Sequence, residues 1–347
     1  MGSTDALPNP IDPSFIDRMD ADFIAYYNKH IAIKPPTHAI DLSEVRANPQ
    51  KWASPWCKDY ADLPFVHDIQ ITSGDGHVFT ARIYSPDDND TEPGSGPYPV
   101  HVNFHGGGYC FGDLTSDAAL LMKIRKRARI IVVDVDYRLT PEHAFGKGTD
   151  DAWAAVQWVH AHAHEINGRP DSISIGGISA GGFMSCVLQQ LARDAGLPLK
   201  LAILSVPSTH TRKGIAKPED SPFPSLAENA LAPCLNWKRV RFFAAVVQKS
   251  MSDEEWGALP LFRRSPIEAT SLEGVCDTFI ATAGCDPLRD EGEAYGQKLI
   301  EAGVKVTVRR YTGVPHPWMH MEGVKKADMY MDDLCQALVT AHRVKTE

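Results

Sequence analysis

Several features are scarce in this sequence of 347 residues, and each scarcity removes a class of protein. No stretch reaches the roughly 18 consecutive apolar residues that a membrane span needs. The opening MGSTDALPNPIDPSFIDRMD holds no apolar core of signal-peptide length, and Ala6 stands where a myristoylation site requires Ser or Thr. Basic residues are in the minority: 35 Lys and Arg against 44 Asp and Glu give a formal charge of -9. That balance argues against nucleic acid or an anionic membrane as a general partner. The one dense basic run, KIRKRAR at 123–129, reads as the solvated face of a helix. Seven cysteines, an odd number, form no CxxC pair, so reduced thiols in an intracellular, cytoplasmic protein are expected rather than a disulfide or zinc framework. Asn89 completes a glycosylation sequon, but no export signal accompanies it. There is no internal repeat.

What is present is a rhythm of short strands and helices. HDIQIT and HVFTARIY read as an antiparallel hairpin across SGDG, whose Asp-Gly supplies the turn. YPVHVNFH, IIVVDVDYR, SISIGGI, LKLAILSV, DTFIATAG and KVTVRRYT follow, rich in Val and Ile and separated by helical stretches such as DDAWAAVQWVHAHAHEI. The alternation predicts a mostly parallel sheet covered on both faces by helices. Two regions break the rhythm. Residues 1–60 are irregular and helical, and residues 208–266 interrupt the sheet between two strands with a segment rich in Pro and aromatic residues. An insertion of that size reads as a helical cap over a site, the alternative being a peripheral decoration. The expected organisation is therefore an N-terminal cap segment (1–60), a core in two parts (61–207 and 267–347), and a cap insertion (208–266).

The chemistry starts at GGISAGG (176–182). A serine between glycines, after a strand and before a helix, is the GxSxG nucleophile elbow, which thrusts Ser179 outward on a tight turn. A hydroxyl is a weak nucleophile until a base takes its proton and donors stabilise the charge on the substrate oxygen. HGGG at 105–108 offers unshielded backbone amides, so Gly107 and Gly108, with the N–H of Ala180, form the expected oxyanion hole. Neither glycine stretch is followed by the Lys-Ser/Thr of a phosphate loop, and GxGxxG is not met. An acid and a histidine must follow in chain order. Asp286 ends the strand DTFIATAG, whereas Asp290 and Glu291 sit at a helix start and rank lower as capping acids. His316 lies on the loop just past the last strand, ahead of His320 in the following helix. His160 and His164 share a helix face but have no evident carboxylate partner for a metal. Trp237, Phe242 and Phe243 suit either an acyl pocket or the packing of a small cap.

HGGG, DYRLTPEHAF (136–145), GISAGG, GCDPLRDEG and the loop histidine, taken in order over residues 64–340, resemble the hormone-sensitive-lipase-like family of α/β-hydrolases. The resemblance implies an α/β-hydrolase fold, with a mostly parallel eight-stranded sheet flanked by helices and a helical cap. It also implies hydrolysis of small to medium apolar carboxylic esters by Ser179, His316 and Asp286, without metal or organic cofactor. His105, Tyr137 and Arg138 are then residues that hold the oxyanion loop. Two departures stand out: Ile178 replaces the family's usual Asp before the serine, and HPW replaces His-Gly-Phe, placing Trp318 near the site. The same triad also serves acyl transfer, elimination or cyclisation, and a non-enzymatic receptor on this fold is the more distant alternative. A small-molecule ester is the expected partner, and a homodimer is an option left open.

Overall fold

The computed structural model describes residues 7–86 and 96–343, so Ala6 and the Asn89 sequon lie outside the described residues. Eight strands form one sheet: β1 (Val66–Thr72), β2 (Val78–Tyr84), β3 (Tyr98–Phe104), β4 (Ile131–Val135), β5 (Gly168–Ile178), β6 (Leu201–Ser205), β7 (Thr278–Cys285) and β8 (Val306–Pro315). Their order across the sheet is β1-β2-β4-β3-β5-β6-β7-β8. The hairpin forms as the Asp-Gly turn predicts, with Thr72 opposite Val78. β2 then pairs antiparallel with β4, and every later neighbour is parallel.

Burial follows from that topology. β1, at one edge, buries only Val66 and Ile71, whereas β4 and β6 are buried along their whole length because helices cover both faces. The helices Lys147–His162 and Ala180–Asp194 pack with β3 and β5 into a core that contains Val102, Ile175, Val187 and Leu204. On the other face Ala118–Ala128 and Lys325–His342 enclose Leu121, Ile203 and Tyr330. The basic run on the first of these helices is not wholly solvated. Arg125 is buried, donates to the Ser85 carbonyl (2.8 Å), and lies over the Phe65 ring at 4.1 Å.

The chain leaves β3 toward β4 on one side and returns to β5 on the other. Such a reversal of direction opens a crevice at the carboxyl ends of the strands, the usual ligand site of open α/β sheets. Helical segments lie in both regions that break the strand rhythm, including Ala21–His30 and Leu42–Ala47 in the first and Trp237–Lys249 in the second. Among the described residues no helix is long and apolar enough to cross a membrane. All seven cysteines are free.

Candidate active site

Ser179 stands between the end of β5 and the first turn of the helix Ala180–Asp194, at φ 59° and ψ -108°. A side chain other than glycine rarely adopts positive φ, so the surrounding structure must hold this conformation. The Ser179 N–H donates to the Ser205 carbonyl on β6 (2.8 Å), and its own carbonyl accepts from Phe183 (2.9 Å). The helix lies so close to β3 that a Cβ at Gly181 would collide with the Phe104 carbonyl oxygen. That close approach is why the second glycine of GxSxG is glycine.

The glycine-rich loop leaves β3 at His105. Gly107 has φ 129°, and a Cβ there would strike the Phe111 carbonyl. Its carbonyl turns away to accept from Cys110 (3.2 Å) and Phe111 (3.0 Å). Tyr137 braces the loop from below: its ring stacks on His105 (centroids 4.2 Å apart), and its hydroxyl donates to the His105 carbonyl (2.7 Å). Arg138 acts at a distance from the loop. It pairs with the buried Asp151 (2.7 Å) and with Asp75 in the hairpin turn (2.9 Å), tying the first hairpin to the core.

Asp286 follows β7, and His316 follows β8. The Asp286 Oδ2 accepts from His316 Nδ1 at 2.9 Å, and both residues are buried. The other carboxylate oxygen accepts from the Leu288 N–H (2.9 Å), while the backbone carbonyl accepts from Asn229 Nδ2 (3.1 Å). An ionised carboxylate is an acceptor only, so this bond calls for a proton on Nδ1, and the lone pair of a neutral imidazole in that tautomer lies on Nε2. His316 and Ser179 line the same cavity.

Two cavities meet at Ser179. The larger, about 330 Å³, runs past His316 and Ile178 toward Trp56 and Arg239. The narrower, about 90 Å³, is walled by Tyr109, Phe145, Phe183, Val240 and Val247. Phe243 and Gly108 border both, so Phe243 faces the site, whereas Phe242 stacks on Phe111 (5.9 Å) and Trp237 packs beside Leu226 and Leu235. Ile178 is buried in the core beside the Gly106 backbone, an apolar support for the glycine-rich loop in place of a polar neighbour.

Three residues near the motifs do other work. Asp290 accepts from the Ser225 N–H (2.7 Å) and pairs with Arg289. Glu291 is buried, pairs with Arg212 and accepts from the Thr209 N–H (2.7 Å); burial raises its pKa above the usual carboxylate range. Both acids fasten residues 208–225 to the helix Arg289–Glu301. His320 bonds Asp117 (2.8 Å) and stacks on Trp56 (5.0 Å), at the wall of the larger cavity. Behind it Asn103 bridges Asp117 (3.2 Å) and Asp134 (2.9 Å). Burial, and then the neighbouring Asp117, raise Asp134 well above the usual carboxylate range. Trp318 is fully buried against Tyr311 and Tyr330, away from the larger cavity. Tyr109, Arg239 and the Asp117–His320 pair escaped the sequence reading. Only Tyr109, directly after the glycine run, carried a local signal. Among the described residues no group of three or more His, Cys, Asp or Glu side chains stands ready to hold a metal.

Fold and elbow together define an α/β-hydrolase with a serine at the crevice. A family model described as the alpha/beta hydrolase fold matches residues 101–320. An AB hydrolase superfamily protein of Schizosaccharomyces pombe is 32% identical over 96% of each chain. Esterase LipI of Mycobacterium tuberculosis is 37% identical over 76% of this chain and 77% of its own. The solved structure titled Bacterial Heroin Esterase superposes with a TM-score of 0.81 at 26% identity, over 94% of this chain and 99% of the other. The chain belongs to the hormone-sensitive-lipase-like family of α/β-hydrolases.

Proposed function

We propose that the protein is a serine hydrolase of carboxylic esters, with Ser179 as nucleophile, His316 as base and then acid, and Asp286 as the group that orients the imidazole. The observation that carries this reading is the 2.9 Å bond between His316 and Asp286 beside a serine held at an elbow on the same cavity. In the first step His316 Nε2 takes the Ser179 proton as Oγ attacks the ester carbonyl. The amides of Gly107, Gly108 and Ala180 receive the oxyanion, and the positive end of the helix beginning at Ala180 favours the same charge. The imidazolium then gives its proton to the departing alcohol, and water cleaves the acyl-enzyme by the reverse sequence.

The geometry supports one arrangement of the two sides of the substrate. The leaving alcohol must lie against His316, which lines the larger cavity and not the narrower one. The acyl group therefore occupies the narrower cavity, whose wall is largely apolar but also carries Arg212, Lys213 and Arg264. In the same reading, residues 1–60 and 208–266 cap the core segments 61–207 and 267–347. Arg18 of the first bonds Asn229 of the second (2.7 Å), and Asn229 in turn holds the Asp286 backbone. Seven free cysteines fit a cytoplasmic setting, and the exposed edge of β8 is the place for a second copy to pair.

The test is turnover of para-nitrophenyl esters of increasing acyl length, with Ser179→Ala as control. Short esters are expected to be preferred, and Ser179→Ala to lose a factor on the order of a million in kcat. Turnover retained in the variant would remove Ser179 from the mechanism.

A further inference from the structure

The larger cavity contains a cation that the reaction itself does not use. Arg239 sits in the first turn of the helix Trp237–Lys249 and lines the cavity together with Thr37 and His38 from the N-terminal segment. Its Nη1 donates to the Cys234 carbonyl (3.1 Å), and the guanidinium lies 5.5 Å from the Phe243 ring. Arg239 is partly buried, and no carboxylate among the described residues forms an ion pair with it.

The neighbouring groups do not supply the missing negative charge. Burial pushes the Cys234 and Cys110 thiols up to about 12, so both are neutral at pH 7. Burial likewise raises Tyr27 above the ordinary phenol range. Burial and then the nearby Arg239 and Lys238 lower His38, which stays uncharged. Across the cavity Asp117 is held by His320 and Asn103, and Asp113 closes its own turn by accepting from Thr115 (2.8 Å). Arg46 is paired with Glu142 (2.8 Å). Two further polar atoms at this wall, Thr37 Oγ1 and His38 Nδ1, are buried without a hydrogen-bond partner in the protein. Arginine stays protonated, so an unpaired cation lines one corner of the substrate cavity, in a wall that also holds two buried, unsatisfied polar atoms.

We infer that this corner receives an anionic group, a carboxylate on the alcohol portion of the ester, and that Arg239 is the specificity-determining residue. The inference rests on the hydrolase reading above and adds the charge of the substrate to it. The alcohol side is assigned because Arg239, like His316, lines only the larger cavity of the two. A carboxylate there accepts from the guanidinium N–H groups that the protein leaves unused and supplies the missing counter-charge.

The experiment compares para-acetoxybenzoate with its neutral methyl ester in the full chain, in wild type, Arg239→Gln and Arg239→Lys. The readout is the ratio of kcat/KM, charged over neutral. Dividing the wild-type ratio by that of each variant cancels the difference in intrinsic reactivity. The ratio is expected to fall roughly 10- to 100-fold in Arg239→Gln, mainly through KM, and to recover in part in Arg239→Lys. A parallel pair, para-nitrophenyl hemiglutarate and pentanoate, places the charge on the acyl side and should show no such fall. An unchanged ratio in an Arg239→Gln protein that melts and labels with phosphonate as wild type does would overturn the inference. So would a fall confined to the acyl-side pair. Absence of turnover for every ester in wild type would instead sink the hydrolase reading itself.

Discussion

Replacing Asp286 by Asn tests the proposed triad at its most specific point. In the native protein one carboxylate oxygen accepts from the Leu288 N–H (2.9 Å) and the other from His316 Nδ1 (2.9 Å). Asparagine has one acceptor and one donor for these two positions. If the amide NH₂ faced the Leu288 N–H, two donors would meet in a fully buried place, at a cost of about 1–3 kcal/mol. The carbonyl oxygen therefore stays on Leu288, and the NH₂ turns to His316. Nδ1 must then accept, the proton moves to Nε2, and the atom that should receive the serine proton already carries one. The imidazolium that forms during reaction also loses its counter-charge. The expected loss is about 10⁴-fold in kcat, or about 5 kcal/mol of transition-state stabilisation, with the fold intact. The assay is turnover of para-nitrophenyl acetate alongside a melting curve, with Asp290→Asn as control. A loss below about tenfold, or an equal loss in the control, would refute the reasoning.

Other consequences are equally open to measurement. His316→Ala should cost several orders of magnitude in kcat and His320→Ala far less, because His320 spends its Nε2 on Asp117; the reverse order in a turnover assay would reassign the base. Gly181→Ala should give little folded protein, since its Cβ would meet the Phe104 carbonyl; normal yield and melting temperature would contradict the packing account. Stability should fall in mild acid through His101 and His342, which burial lowers from 6.5 to about 3 and about 4 and which share the Ser174 hydroxyl. The unfolded chain takes up these protons first, so stability present above pH 6.5 drains away as pH falls toward 4. Between pH 7 and 5 the loss should be about 2 kcal/mol per imidazole, and denaturant unfolding of a His101→Gln, His342→Gln double variant should show that part of the slope removed. An unaltered slope would disprove the assignment.

The parts of the site that sequence made legible are those where backbone geometry restricts residue choice. A serine at positive φ beside a helix pressed onto β3 needs the glycines of GISAGG, and an acid and a histidine placed just past strand ends can be read from where the strands stop. Longer-range relations left no local mark. Arg138 was read with the oxyanion loop, yet its partners Asp75 and Asp151 lie in the first hairpin and in a core helix. Glu291 read as a helix cap because nothing in its neighbourhood announces Arg212, its buried partner across the insertion. Trp318 reads from its place in HPW as filling space near the site, but β8 and the last helix leave a pocket between Tyr311 and Tyr330 that takes the ring into the core. Arg239 was invisible for a related reason: what marks it is a missing partner, and that exists only once the chain is folded.

The central claim is that Ser179 is activated. Its most direct test is the intact mass of the protein after exposure to a small organophosphonate, followed by mapping of the modified peptide, in wild type and Ser179→Ala. The account predicts a single adduct on wild type, located on Ser179, and none on the variant. An adduct that persists in Ser179→Ala, or a wild-type protein that hydrolyses esters yet never labels, would contradict it.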